Sequence, residues 1–206
     1  MRVTGGAYNG RKLLVPPGVI RPAMDRMRES LFALFGEMEG CSFLDLYCGS
    51  GSVGIEAASR GADPIVFVEK DRGKRTVLMR NLSFVEEQTE VYILPVEHFL
   101  RRVKRSFDLI FLDPPFRQRG KVEVLQLIAT RRILAPGGIL AIHLPKEGEK
   151  GFPEVLGVGS QPRTGGQCAV ERDEGGVGRP RVTDVVFAAG ADGRGAPRRS
   201  GRRAWP

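Results

Sequence analysis

The feature that most constrains this chain is a rhythm. After Gly40, short apolar runs alternate with helix-length stretches: SFLDLY (42–47), PIVFVE (64–69), VYIL (91–94), FDLIFLD (107–113) and ILAIHL (139–144). Each run has strand length, and none shows the polar alternation of a half-exposed strand. Strands of that kind are buried on both faces, as in a parallel sheet covered by helices on each side. The stretches between them supply those helices, at about 53–60, 71–86, a short one through Phe99, and 121–133. The pattern predicts an α/β fold with a doubly wound, mostly parallel, Rossmann-like sheet within residues 1–150.

Two segments precede the first strand. Residues 1–22 read as a small N-terminal β extension, with RVTGG, a turn at Asn9-Gly10 and then RKLLVP. Residues 23–40 read as a leading helix, because Met27, Leu31, Phe32 and Phe35 recur at helical spacing. Beyond residue 150 the composition changes. Residues 151–206 are rich in Gly, Arg and Pro and contain no Lys, Ile, Met, Tyr or Asn, with one credible strand at VTDVVF (182–187). That tail fits a flexible basic appendage, and it equally fits a carboxyl end replaced by a reading-frame change.

Composition excludes several function classes. Of 206 residues 41% are hydrophobic, enough for one globular domain plus an appendage. Three cysteines in unpaired spacing point to free thiols in a reducing cytosol rather than a zinc site. Of the two histidines, His143 lies in an apolar run and reads as a hydrogen-bonded core residue. No apolar run reaches the roughly 20 residues of a membrane span, and MRVTGG has no signal-peptide core. A cytoplasmic protein without membrane or metal is expected. The net charge of +8 favours a polyanionic partner.

Three motifs carry chemistry. Asp45-Leu-Tyr47-Cys-Gly49-Ser-Gly51-Ser-Val-Gly54 places a glycine-rich turn between a strand and its helix, where backbone can approach a ligand closely. The acid four residues before the turn can meet an α-ammonium group; an ordinary tight turn is the plainer reading. Glu69 closes the second strand 18 residues after Gly51, where a carboxylate can accept both hydroxyls of a ribose. NAD enzymes share that feature, so it specifies an adenosine-bearing cofactor and no more. Lys70 and Asp71 stand at the same edge, where either can simply cap the next helix. Asp113-Pro114-Pro115-Phe116 ends the fourth strand, beside the first at the switch point of such a sheet. An amino group on a base needs acceptors for its N–H bonds and a face for its ring. Asp113 and the Pro114 carbonyl supply the first, Phe116 the second.

The order of these motifs, with TGGAYNGRKL and then Arg21-Pro22-x-x-Asp25-Arg26-x-Arg28-Glu29-Ser30-Leu31-Phe32, closely resembles the RsmD family of bacterial 16S rRNA guanine-N2 methyltransferases over residues 1–147. The resemblance implies a class I methyltransferase fold and S-adenosylmethionine as cofactor. It implies a guanine of 16S rRNA as acceptor, in the small subunit or its assembly intermediate, and a monomeric enzyme. On that reading Asp113, Pro114 and Phe116 are catalytic, and Asp45, Tyr47, Gly49, Gly51, Glu69 and Lys70 hold the cofactor. Arg11, Lys12, Arg21, Arg26 and Arg28 are the candidates for phosphate contact, with a solvated face as the plainer reading; Arg21 or Asp25 could instead touch the cofactor's methionine end. Two departures stand out. Pro95 occupies the place where the family carries Asp or Asn near the adenine, which passes that contact to the Val96 backbone or to Glu97. The tail also lacks the family's closing pair of strands, so strand five is expected to be an uncovered edge. An adenine-N6 methyltransferase is one alternative, although it calls for a target-recognition domain that this length does not hold. A catalytically impaired RNA-binding homologue is the other.

Overall fold

A computed structural model describes residues 1–15, 28–36 apart from 30 and 34, 38–115, 120–143, and the backbone of Val185–Ala189. The leading helix α1 is helical at every described position from 28 to 35. Then follow β1 (Phe43–Leu46), α2 (Ser52–Ser59), β2 (Ile65–Glu69), a 3-10 turn (Arg72–Lys74), α3 (Arg75–Leu82), β3 (Thr89–Ile93), α4 (Val96–Arg102), β4 (Phe107–Leu112), α5 (Lys121–Thr130), β5 (Leu134–His143) and β6 (Val185–Ala189).

The sheet order is β3-β2-β1-β4-β5-β6. The first five strands are parallel and β6 is antiparallel to β5. This is the doubly wound, mostly parallel sheet expected, with one correction: the edge of β5 is covered. Val185–Ala189 pairs with Ile139–His143, because VVFAA is a β-prone run inside an otherwise Gly- and Arg-rich segment. β5 also begins five residues earlier than its apolar run, at Leu134. Pro136-Gly137-Gly138, which reads as a turn, is absorbed as an irregularity where the β4–β5 register shifts between Phe107 and Leu109.

Period-two alternation along the strands builds two cores. Phe43, Ile65, Phe67, Leu109, Phe111 and Ala141 face one side and pack with α1, α2, α3 and the N-terminal segment. Leu44, Leu46, Val66, Val68, Ile110, Leu112, Leu140 and Ile142 face the other, against α4 and α5. Helix α2 fits tightly enough that all eight of its residues are buried. Gly61, at φ 95°, ends it: the Gly61 amide bonds the Ala58 carbonyl and the Ala62 amide bonds that of Ala57.

The N-terminal β extension reduces, among the described residues, to one antiparallel bridge between Arg2 and Lys12. Side chains from later elements hold it in place. Buried Glu56 of α2 accepts from the Thr4 amide at 2.8 Å and the Thr4 hydroxyl at 2.6 Å. Ser59 Oγ accepts from the Tyr8 amide and donates to the Gly5 carbonyl. Gly6 is required where it stands, since a Cβ there would lie 1.7 Å from the Ser59 carbonyl oxygen.

Candidate active site

The alternation that builds the cores also builds the site. Asp45, Glu69, Asp113 and His143 continue the series Phe43, Phe67, Phe111 and Ala141, so all four lie on the α2 side of the sheet at its carboxyl end. There a cleft of about 410 Å³ is lined by residues of the β1 turn (Asp45, Tyr47, Cys48, Gly49, Ser50), the β2 end (Glu69, Lys70, Asp71, Lys74) and the β4–β5 end (Phe111, Asp113, Pro114, Pro115, His143). The ends of strands one and four therefore meet across one cavity.

The turn is shaped by left-handed backbone. Tyr47 (φ 64°), Gly49 (φ 59°) and Gly51 (φ 79°) all adopt it. At Gly49 an added Cβ would come within 4.0 Å of the Tyr47 carbonyl alone, so the glycine keeps open the space above the turn. At Gly51 it would meet Leu78 Cδ1 at 2.5 Å. Asp45 is 1% exposed at the base of the cleft and accepts from the Gly54 amide at 2.9 Å. Burial pushes its carboxyl up to about 8; the Gly54 N–H opposes the shift, while Asp113 and Glu69 add to it. Glu69 accepts from the Gly49 amide (3.0 Å), the Asp71 amide (2.9 Å) and the Lys74 ammonium (3.3 Å), which locks it at the lip of the turn. Burial holds the Cys48 thiol well above its ordinary range, which favours the protonated thiol over the thiolate.

Asp113 follows β4 with its amide bonded to the Leu46 carbonyl at 3.3 Å. Its Oδ1 lies 2.9 Å from His143 Nδ1. His143 is thus hydrogen-bonded as expected, but it belongs to the cleft rather than the core. The run ILAIHL hides this, because the final step of β5 reaches the open end of the sheet.

Other expectations are corrected. Arg28 is 0% exposed and so cannot touch a phosphate. Its Nη2 donates to the Arg2 carbonyl at 2.7 Å and its Nη1 lies 3.8 Å from Glu56. A buried cation needs such partners, and here they tie the N-terminal segment to α1 and α2. Val96 is not among the residues that line this cleft; Pro95 caps α4 and the Val96 side chain packs in the α4–α5 core, while the contact expected was with its backbone. Arg11 and Lys12 are exposed, with the Arg11 guanidinium over the Phe84 ring at 4.8 Å. Arg21, Arg26, Phe116 and the tail apart from β6 lie outside the described residues.

The sequence reading missed Lys74 and Asn81. Lys74 stands on the 3-10 turn five residues past Glu69, a spacing that could have suggested it. Buried Asn81 accepts from the Leu14 amide and donates to the carbonyls of Leu14 and Ser50, joining the N-terminal segment to the glycine-rich turn. No local signal marks it.

With this geometry in hand, likeness to known proteins decides the family. The family model described as Conserved hypothetical protein 95 matches residues 1–167. The chain belongs to that family. Among its relatives, the Escherichia coli (strain K12) protein named Ribosomal RNA small subunit methyltransferase D is 35% identical over 159 residues, covering 75% of this chain and 79% of that one. The Haemophilus influenzae protein of the same name is 33% identical over 154 residues, with 71% and 80% covered. A solved structure of the Thermus hypothetical protein TTHA0928 superposes with a TM-score of 0.64 at 33% identity, covering 71% of this chain and 87% of that one. The motif order pointed to this same family, and the fold is the Rossmann-like one of its relatives.

Proposed function

We propose that the chain transfers a methyl group from S-adenosylmethionine to the exocyclic N2 of a guanine in 16S rRNA, in the small subunit or its assembly intermediate. It acts as a cytoplasmic monomer whose methyltransferase unit is residues 1–150. One observation carries this reading: Asp113 and the glycine-rich turn, through Gly49 and Ser50, line the same cleft. The small-subunit methyltransferase names of its relatives support the choice of acceptor.

The residues present fit the cofactor. Gly49 leaves open a cradle that a Cβ would fill, and the cleft gathers the carboxyl groups of Asp45, Glu69 and Asp71, acceptors suited to a ligand bearing an ammonium group and ribose hydroxyls. Asp45 would face the ammonium, Glu69 the ribose hydroxyls, and Tyr47, Lys70 and the glycine turn the remainder. When bound, S-adenosylmethionine supplies an electrophilic methyl group. The chain's task is then to orient N2, whose lone pair is delocalised into the guanine ring; orientation of this kind contributes roughly 7–11 kcal/mol. Asp113 and the Pro114 carbonyl accept the two N2–H bonds. Both bonds strengthen as positive charge develops on the nitrogen, which favours the transition state over the ground state. As the N2–C bond forms, N2 sheds one proton, and Asp113 is the acceptor at hand.

A paired guanine cannot enter such a cleft, so the base must be unstacked or already in a loop. Exposed Arg2, Arg11 and Lys12 provide a basic face for the flanking phosphates. The test is tritiated-methyl transfer to small subunits from a strain lacking the enzyme, followed by nucleoside analysis. N2-methylguanine is expected. N6-methyladenine would replace this reading with that of an adenine enzyme, and an absence of label would leave an RNA-binding homologue. In the same assay Asp113→Ala abolishes transfer while cofactor affinity is retained; full turnover by that variant refutes the role given to Asp113.

A further inference from the structure

The turn that carries Asp113 has an unusual deficit. An aspartate beside a turn is ordinarily held by backbone N–H groups of the next residues, but Pro114 and Pro115 have none. Neither proline can hold the carboxylate, and among the described residues the side chain that hydrogen-bonds it is His143, 2.9 Å away. Topology brings the two side chains together. Strands β4 and β5 are neighbours whose last registered pair is Leu112 with Ile142, and Asp113 and His143 are the next residues on each, on the same face of the sheet. Both line the cleft, with side chains 30% and 18% exposed. This pair is neither sealed in the core nor loose on the surface.

We propose that His143 is a positioning residue for methyl transfer: its Nδ1–H holds Asp113 Oδ1, leaving Oδ2 aimed at the incoming amino group. The proposal rests on the methyl-transfer reading above and adds to it the group that fixes the acceptor. A carboxylate offers no proton, so the imidazole hydrogen sits on Nδ1. Without that bond the carboxylate turns about its Cβ–Cγ axis and meets the base at varied angles. The loss falls on the step in which the N2–H bonds strengthen, and so on kcat rather than on binding.

The test has two arms. In the first, His143→Ala lowers kcat by roughly ten- to a hundredfold, the scale on which misplacing a reacting group acts. KM for small subunits and Kd for S-adenosylmethionine stay within about twofold. His143→Asn, whose amide nitrogen sits at the same remove from Cβ as Nδ1, recovers most of the loss. In the second arm, nitrogen NMR of the imidazole is recorded on the chain alone. With two histidines in the sequence, His98→Gln assigns the signals, and His143 should show the Nδ1–H tautomer, lost in Asp113→Ala. Undiminished kcat in His143→Ala, failure of Asn to rescue, or an Nε2–H tautomer overturns the proposal. A wild-type enzyme that yields no N2-methylguanine would sink the methyl-transfer reading instead, and the NMR arm would still decide the hydrogen bond.

Discussion

Asp45 shows how a single buried group writes a pH dependence into the chain. Its folded carboxyl, pushed up to about 8, stays neutral where the unfolded chain's would be charged. Folding therefore takes up a proton across that interval. The stability this group contributes is fully present below the ordinary carboxylate range of about 4 and is lost as pH rises through about 8. The urea midpoint of the cofactor-free chain should fall between pH 5 and pH 8.5, and fall less in Asp45→Asn, which keeps an acceptor for the Gly54 amide but cannot ionise. Equal slopes in the two proteins would remove Asp45 as the cause. At the cleft's lip, Glu69→Ala should weaken S-adenosylmethionine binding by about 1–3 kcal/mol, measured calorimetrically, through the loss of one or two hydrogen bonds. Asp45, Glu69 and Asp113 were legible in the sequence because each interrupts or closes an apolar run, where a charge has no packing reason to be. His143 and Lys74 were not, because their meaning lies in partners that neighbouring strands and turns deliver.

Among the elements, the strands were readable and the attachments between them were not. Runs such as IVFVE leave no solvent face, so their burial follows from composition. By contrast, Pro136-Gly137-Gly138 signals a turn, yet β5 extends across it, with the β4–β5 pairing interrupted between Leu134 and Ile139. The expected helix to residue 86 stops at Leu82, where Ser83 bonds back to the Arg80 carbonyl. The N-terminal segment looked peripheral, but Glu56, 0% exposed, fastens it to α2 and faces Arg28, also 0% exposed. Glu56→Ala removes a buried carboxylate from that cation and should cost about 3–5 kcal/mol in chemical denaturation. A loss under 1 kcal/mol would mean that the segment is held by its other contacts, the Ser59 and Asn81 hydrogen bonds and the burial of Val3 and Leu13, rather than by the carboxylate.

For the whole molecule, the net charge of +8 matters through where it is exposed. Arg11 and Lys12 lie on the outer side of the N-terminal segment, whereas Arg28 is spent inside. Replacing Arg11 and Lys12 with Ala should reduce the slope of log affinity for a 16S hairpin against log salt by about 2, one for each phosphate contact, with S-adenosylmethionine affinity unchanged. An unaltered slope would move the RNA-facing surface elsewhere. The charge was plain in the composition; its division between surface and interior was not, since Arg28 differs from Arg11 only in what folds over it.

The bonds that seat the opening segment also set an order of events during synthesis. Thr4 waits for Glu56, Leu14 for Asn81, and the Tyr8 hydroxyl for Glu87. None of these partners exists when residues 1–15 leave the ribosome. Residues 1–15 are therefore made before every one of these partners, and Arg2 and Arg11 travel in solvent until the stretch through residue 87 has emerged.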